Sequence, residues 1–260
     1  TVLSGTMEDL PQSETADLSW RRAAYEAHRT SLVPGTSATD AASVTLSAEP
    51  GGKAHGVSAG YGDLVFGPQG KGPGDVQGAG IAYGNPFPAA WTQLVTASIA
   101  SSTSYSVGTA RRMLLNARLS FAAEKAAFVA AEGKPLVGPP RAPKVADKDL
   151  FGDAAVTGVG TSPRLTWDAP ALGAPSGYIV SLQRLEAVSA RTVSTSVATF
   201  YVPAAAERAL TVPPGLLMSG ETYHLRIQAV ASPGADLGAA PLRRALPWGS
   251  GDVLTRPFSP

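Results

Sequence analysis

Residues 217–229 read Leu-Met-Ser-Gly-Glu-Thr-Tyr-His-Leu-Arg-Ile-Gln-Ala, and this stretch decides the fold that we expect for the chain. After a glycine turn, apolar and polar residues alternate with the period of two that predicts a β-strand with one buried face. Tyr223, Leu225 and Ile227 are expected to point into a core. His224 has the opposite phase and is expected to be an exposed strand residue.

Strands with matching phases precede this stretch. Residues 162–170 predict a strand that ends in a proline-bounded turn, with Leu165 and Trp167 on one face. Residues 175–182 predict a turn and a second strand, and residues 209–212 predict a short third one. A buried tryptophan supplies a large apolar surface to such a core. The predicted core of this half is Leu165, Trp167, Tyr178, Val180, Tyr223, Leu225 and Ile227.

This ordered set resembles the fibronectin type III family, which carries a Trp on an early strand, a Tyr-x-Val on the next and a Leu-x-x-Gly-x-x-Tyr stretch followed by alternating apolar residues. The resemblance covers about Pro139–Phe258 and implies an antiparallel β-sandwich. It also implies that Tyr223 is a tyrosine corner, with its hydroxyl bonded to backbone a few residues upstream. The chain has Ser250-Gly-Asp252 and no Arg-Gly-Asp adhesion triplet. The resemblance therefore implies a scaffold or spacer rather than a seat of activity.

A proline-rich segment divides the chain. Residues 133–146 carry four prolines, which favour an extended and semi-rigid backbone. The sequence thus predicts an all-β protein with two β-sandwich domains in tandem. They are a β-rich domain of unassigned family (1–134), a connector (135–146) and a fibronectin type III-like domain (147–260).

Short alternating runs predict the strands of the first half, at residues 43–48, 63–66, 91–99, 104–107 and 112–121. Residues 19–28 have strong helix formers after Ser19 and predict a short helix with Ser19 as its N-cap. Residues 122–131 have high helix propensity but directly follow the best strand pattern. The sequence does not decide between a helix and a continuation of the strand for residues 122–131.

The composition excludes several classes of function. Charged residues are 16% of the chain and the net charge is +1, so there is no basic footprint for nucleic acid. The chain has no cysteine, which excludes disulfides, thiolate metal sites and cysteine nucleophiles. No apolar run approaches the roughly 18 residues of a membrane span.

The first residue and the residue usage suggest an exported protein. The chain begins at Thr1, and we interpret it as a processed product whose leader is removed before this residue. Abundant Ala and Arg favour a bacterial source. We therefore expect a secreted, cell-surface or periplasmic location, and a lipid-anchored lipoprotein is one form that this would take.

The chain offers little for catalysis or for a cofactor. Its histidines, His28, His55 and His224, form no metal-binding pattern. Residues 249–252 predict a turn near the C-terminus and not the strand-to-helix elbow of a serine hydrolase. The aspartates at 147, 149 and 153 lack the glycine of a calcium loop, which favours a solvated loop. We predict no catalytic residue, no cofactor and no metal.

Aromatic residues make residues 82–91 the most informative stretch of the first half. Tyr83, Phe87 and Trp91 lie among glycines and prolines, with Tyr61 upstream. Exposed on a rigid loop, they would form a carbohydrate platform or the centre of a protein interface. Buried, they would close the end of a sandwich, and this second interpretation is favoured because large aromatics usually supply core area. Tyr83, Phe87 and Trp91 are the predicted binding residues.

We therefore expect a non-catalytic extracellular or periplasmic interaction or structural module of a bacterial surface protein. Its expected partners are a protein or polysaccharide at the cell surface, or copies of itself. Two alternatives stay open. One is a carbohydrate-binding accessory module, which requires exposed, coplanar rings among the predicted binding residues. The other is a structural subunit of an extracellular assembly, which requires edge strands that pair between copies.

Overall fold

The computed structural model describes residues 12–49, 63–69, 72, 74–152, 154–241 and 243–260. Thr1, His55, Tyr61 and Asp153 lie outside these residues. Strands account for 49% of the chain and helices for 6%, which confirms the predicted all-β class. In the part that is described, no helix is long and apolar enough to cross a membrane.

The strands pair antiparallel. In chain order they are β1 (Gln12–Ala16), β2 (Asp40–Glu49), β3 (Asp63–Gln69), β4 (Ile81–Asn85), β5 (Thr92–Tyr105), β6 (Met113–Glu124), β7 (Arg141–Val145), β8 (Lys148–Asp149), β9 (Arg164–Asp168), β10 (Gly177–Val188), β11 (Arg191–Pro203), β12 (Ala209–Thr211), β13 (Thr222–Ala231) and β14 (Trp248–Leu254). The helices are α1 (Arg22–Glu26), a 3-10 turn (Arg29–Ser31) and α2 (Lys125–Ala130).

One eight-stranded sheet runs through both halves of the chain, in the order β11-β10-β13-β14-β6-β5-β2-β3. The halves join where β14 pairs with β6. There Ser250 lies opposite Ser120, and their hydroxyl oxygens are 3.1 Å apart. No sequence pattern indicates this shared sheet, and the domain boundaries at 134 and 147 stay a prediction.

Two hydrophobic cores lie against the sheet. In the first, β2, β5 and β6 pack against residues of β1, α1, α2 and the neighbouring loops. In the second, β10 and β13 pack against β7 and β9 of a four-stranded sheet with the order β12-β9-β7-β8. Trp167 meets Tyr178 edge to face there, with ring centroids 5.5 Å apart. All seven predicted core residues of this half are buried, as expected.

The predicted turn at residues 249–252 is wrong, because these residues lie inside β14. The glycines alternate, so Gly249 and Gly251 share one face of the strand. A Cβ added to Gly251 would lie 2.5 Å from the carbonyl carbon of Gly138, and one on Gly249 would lie 3.1 Å from Cβ of Leu136. The proline-rich connector therefore crosses β14 at this point, and the glycines give its backbone the space to do so.

The prediction that His224 is exposed is also wrong. Its side chain is 1% exposed, its ring lies 5.7 Å from that of Tyr105, and its Nε2 lies 2.9 Å from Oγ of Ser194. Both faces of β13 are covered at this position, because Tyr105 of the first half packs on the side that the pattern assigns to solvent. Alternation identifies one buried face and does not exclude a second.

The helical predictions are confirmed in part. Residues 22–26 form α1, but Ser19 does not cap it, because the Ser19 Oγ accepts a hydrogen bond from the Gly78 amide instead. The open stretch 122–131 divides, since its first three residues end β6 and Lys125–Ala130 form α2. Of the predicted strand at 104–107, the first two residues are the end of β5, which runs unbroken from Thr92 to Tyr105, and the last two lie beyond it.

The hydrogen bond expected at Tyr223 is present. The Tyr223 hydroxyl accepts a hydrogen bond of 2.9 Å from the Met218 amide, while its ring is buried in the second core. We expect Tyr223→Phe to lower the free energy of unfolding by about 1 kcal/mol or somewhat more, because the Met218 amide loses its partner while the ring packing is kept. Urea unfolding of the two proteins measures this. An unchanged midpoint would show that the hydrogen bond contributes nothing net.

Candidate functional site

The three predicted binding residues lie on β4 and on the connection from β4 to β5. Tyr83 is in the middle of β4, opposite Glu14 of β1. Phe87 and Trp91 follow in the six-residue connection 86–91. The connection and the strands on both sides of it form the candidate site, which we call the 83–93 loop.

A network of polar side chains holds the base of this loop. Both carboxylate oxygens of Glu14 accept hydrogen bonds, Oε1 from Asn85 Nδ2 at 2.7 Å and Oε2 from Gln93 Nε2 at 2.7 Å. The Tyr83 hydroxyl lies 2.7 Å from Glu14 Oε2 and 2.6 Å from Gln93 Oε1, so its single proton is shared between two acceptors. The Lys125 ammonium, from α2, donates to Tyr83 at 3.1 Å and lies 3.4 Å from Glu14. The network thus connects β1, β4, β5 and α2.

The network fixes the charges of its members at neutral pH. The hydrogen bonds from Gln93, Asn85 and Tyr83 lower the pKa of Glu14 to about 2, so it is a carboxylate. Burial and the Glu14 contact raise the pKa of Tyr83, so the phenol keeps its proton. The pKa of Lys125 is raised as well, since its contacts with Tyr83 and Glu14 outweigh an opposing effect of burial. None of these groups titrates near neutral pH, so the network is suited to anchoring rather than to proton transfer.

Asn85 connects the network to the aromatic residues. While its Nδ2 donates to Glu14, its Oδ1 accepts a hydrogen bond of 3.1 Å from the Phe87 amide. The Trp91 amide closes the connection by donating to the Pro88 carbonyl at 2.9 Å. The rings of Phe87 and Trp91 stack nearly parallel, at 11° with centroids 4.8 Å apart, and both residues are half-buried. The loop therefore presents a stacked aromatic pair on a fixed base.

Tyr83 differs in role from the other two predicted residues. It is 7% exposed and belongs to the first core, which agrees with the interpretation that large aromatics here supply core area. A sugar platform needs rings that lie side by side with open faces. Phe87 and Trp91 cover each other's faces instead, so their geometry favours a compact anchor over a flat platform.

The buried His224 forms a serine–histidine contact that the sequence did not suggest. His224 Nε2 lies 2.9 Å from Ser194 Oγ, which also donates to Gln183 Oε1 at 2.6 Å. Burial, with Arg226 nearby, lowers the pKa of His224 to about 4, and no group among the described residues bonds its Nδ1. A catalytic base needs a pKa near the working pH and a partner that orients its ring. The contact is therefore a structural one.

The other candidates from the sequence lie apart. His28 is half-buried near the connector, where a Cβ on Gly138 would lie 3.7 Å from its ring. Asp149 accepts a hydrogen bond from the Phe151 amide. Within the described ranges, no group of three or more histidine and acidic side chains could hold a metal ion.

Sequence reasoning missed the residues that hold the loop: Glu14, Asn85, Gln93 and Lys125. Each is one polar residue in a strand or at a helix start, and Glu14 and Lys125 are 111 positions apart. Only the pairing of β1 with β4, together with the position of α2, brings them together. No known protein-family model matches the chain, and neither does any curated protein sequence.

Proposed function

We propose that this chain is a non-catalytic interaction module of a bacterial surface protein, working outside the cell or in the periplasm. One observation carries the proposal, namely the stacked pair of Phe87 and Trp91 on a loop whose base is held by Glu14, Asn85 and Gln93. Aromatic anchors that are rigid before binding lose little conformational entropy when a partner covers them.

The chemistry of the interior supports a non-catalytic role. Glu14 is held ionised and Tyr83 and Lys125 are held protonated, while His224 has a pKa too low for a base at neutral pH. Among the residues that the structure describes, we find no nucleophile beside a competent base. A module that binds through a surface loop needs none.

We further propose that the chain is built of two sandwiches in tandem, and that the C-terminal one is fibronectin type III-like and serves as a scaffold. Three features support the C-terminal part of this proposal. Two antiparallel sheets face each other across a shared core, Trp167 and Tyr178 meet edge to face within it, and the Tyr223 hydroxyl bonds the backbone five residues upstream at Met218. In this arrangement, binding specificity lies in the first half.

The aromatic pair can be tested with a phage-displayed library of random peptides panned on the whole immobilised chain. We expect peptides selected on the wild type to bind the Phe87→Ala/Trp91→Ala double variant about tenfold or more weakly, because the anchor is removed. Phe66→Ala is the matched control, since Phe66 is 62% exposed and lies on β3, outside the loop. Affinities are measured by biolayer interferometry with synthetic copies of the peptides.

Two outcomes would contradict the proposal. One is selected peptides that bind the double variant as tightly as the wild type. The other is that no peptide selected from the library needs the Phe87–Trp91 pair for its binding. Circular dichroism and a thermal melt of the double variant show whether the fold is kept, and a Trp91→Phe variant, which keeps a stacked pair, should retain most of the binding.

A further inference from the structure

Strand β11 forms an open edge of the eight-stranded sheet. It is 13 residues long, and among the described strands its one partner is β10. At its start the edge is covered, because the Thr192 amide donates to the Arg111 carbonyl at 2.9 Å and the Arg111 amide donates to the Ala190 carbonyl at 2.8 Å. From Val193 to Val202, no described backbone group outside β10 hydrogen-bonds the strand. In an antiparallel pair, every second residue of such a strand directs its N–H and C=O away from the partner.

Natural proteins protect sheet edges against unwanted pairing with short strands, charge, proline and β-bulges, and the other edges of this fold carry the first three. The opposite edge of the same sheet, β3, is seven residues long and contains Pro68. In the smaller sheet β12 has three residues, and β8 has two, both charged. Strand β11 has neither charge nor proline along its open part, since no charged residue occurs from Thr192 to Ala206 and proline first appears at Pro203. Its one irregularity is a bulge, because Leu182 and Gln183 of β10 lie opposite Ala198 and Ser196 and leave Val197 as an extra residue. After this bulge, residues 198–202 form a regular, uncharged open edge.

The side chains of β11 suit a strand that is paired on both sides. Phe200 and Val202 face the second core, and Val202 is buried. On the other face Thr199 is exposed and Tyr201 is 41% exposed. Valine, threonine and aromatic residues are the types that strands favour, and directly opposed pairs of them stabilise a sheet.

The absence of charge decides which partner fits. A charged peptide would find no complementary group along the open edge, whereas the same segment of a second copy would bring Ala, Thr, Phe, Tyr and Val opposite one another with no like charges facing. Two identical strands that pair antiparallel form a closed two-fold dimer, the commonest symmetry of homo-oligomers. We propose that residues 198–202 of β11 in two copies of this chain pair antiparallel about a two-fold axis near Phe200, which joins their eight-stranded sheets into one. This association does not depend on the Phe87–Trp91 anchor.

The dimer is expected to be reversible and concentration-dependent. An edge-to-edge contact is narrow, so it buries less than the roughly 1,600 Å² of a standard stable interface. Sedimentation velocity of the whole chain over a concentration series should show a monomer–dimer equilibrium. A wild type that stays monomeric at the highest soluble concentration would overturn the proposal.

Charge variants on the edge locate the contact. Thr199 is exposed and next to the proposed axis, so its two copies in the dimer lie near each other. We expect Thr199→Lys and Thr199→Glu each to weaken dimerisation about tenfold or more, because like charges then face each other. At low salt, where the Debye length exceeds about 10 Å, an equimolar mixture of the two variants should form dimers again. Thr211→Lys is the matched control, because Thr211 is exposed at the end of β12.

The remaining outcomes are decisive as well. If both Thr199 variants still dimerise like the wild type, the contact lies elsewhere and the proposal is wrong. The same holds if Thr211→Lys weakens dimerisation as much as the Thr199 variants do. Failure of the Lys and Glu variants to dimerise in the mixture would also count against it. If a Thr199 variant unfolds, as judged by circular dichroism, Tyr201→Lys and Tyr201→Glu replace the pair, because Tyr201 is 41% exposed and lies next to the axis on the same open edge.

Discussion

Replacing Gly251 by alanine should lower the free energy of unfolding by about 3 kcal/mol or more, since the added methyl would meet backbone on every near side. Its Cβ would lie 2.5 Å from the carbonyl carbon of Gly138, 2.6 Å from the Gly138 oxygen and 2.6 Å from the Pro139 nitrogen. Backbone atoms cannot rotate away as the end of a side chain can, and a proline at the contact restricts the connector further. The clash of the added methyl group can be removed only if the connector moves away from β14, and this movement would disturb the pairing of β14 with β6.

Gly74→Ala is the matched control for this prediction. Nothing lies within 4 Å of a Cβ built on Gly74, so the same change of residue adds a methyl group without a clash. Urea unfolding followed by tryptophan fluorescence compares the two variants with the wild type. A Gly251→Ala protein with wild-type stability would mean that the connector does not cross β14 as closely as the structure shows.

The local pattern of the C-terminal half predicted its core because each strand there has one face against the second sheet. The period of two at Tyr223, Leu225 and Ile227 follows from that geometry, and these side chains are buried as expected. The same pattern failed at His224, since the covering residue, Tyr105, lies more than a hundred positions earlier and belongs to the other half. Alternation reports the neighbours of one face and contains no information about a distant segment that covers the other.

Local sequence patterns could not predict the shared sheet or the candidate site, for the same reason. The residues that join the halves, Ser120 and Ser250, are 130 positions apart and are ordinary strand serines. At residues 249–252 the glycines were interpreted as a turn because glycine is usual in turns, while here it makes room for a crossing backbone. The aromatic residues of the 83–93 loop could be named from composition and spacing. The burial of Tyr83 depends on Glu14 and Lys125, which only the folded chain brings close.

His224 makes the stability of the fold depend on pH. Burial, with the positive charge of Arg226 as a second cause, lowers its pKa from the ordinary 6.5 to about 4. Between these two values the unfolded chain binds a proton at this imidazole and the folded chain does not. The stability associated with a neutral His224 is therefore fully present above about pH 6.5 and is lost as the pH falls toward about 4.

The size of the effect follows from the same linkage. Between about pH 7.5 and about pH 4.5, the free energy of unfolding should fall by on the order of 2–3 kcal/mol through this residue. His28, whose pKa burial also lowers, changes stability in the same direction. Asp252 acts in the opposite direction, because burial raises its pKa and favours the folded state as the pH falls. Carboxyl groups whose pKa the fold lowers, such as Glu14, also begin to contribute as the pH approaches about 4.5. The pH profile of the wild type alone would therefore mix several groups.

A comparison with His224→Gln separates them, since glutamine is neutral at every pH while His28 and Asp252 are unchanged. Urea unfolding of both proteins at several pH values gives the difference in their free energies of unfolding. We expect the advantage of histidine to be largest near neutral pH and to shrink by about 2–3 kcal/mol toward about pH 4.5. A difference that stays constant over this range would mean that the imidazole reaches water or gains a proton without opening the contact between Tyr105 and β13. In that case, the junction between the two halves would be looser than the packing of His224 against Tyr105 and Ser194 indicates.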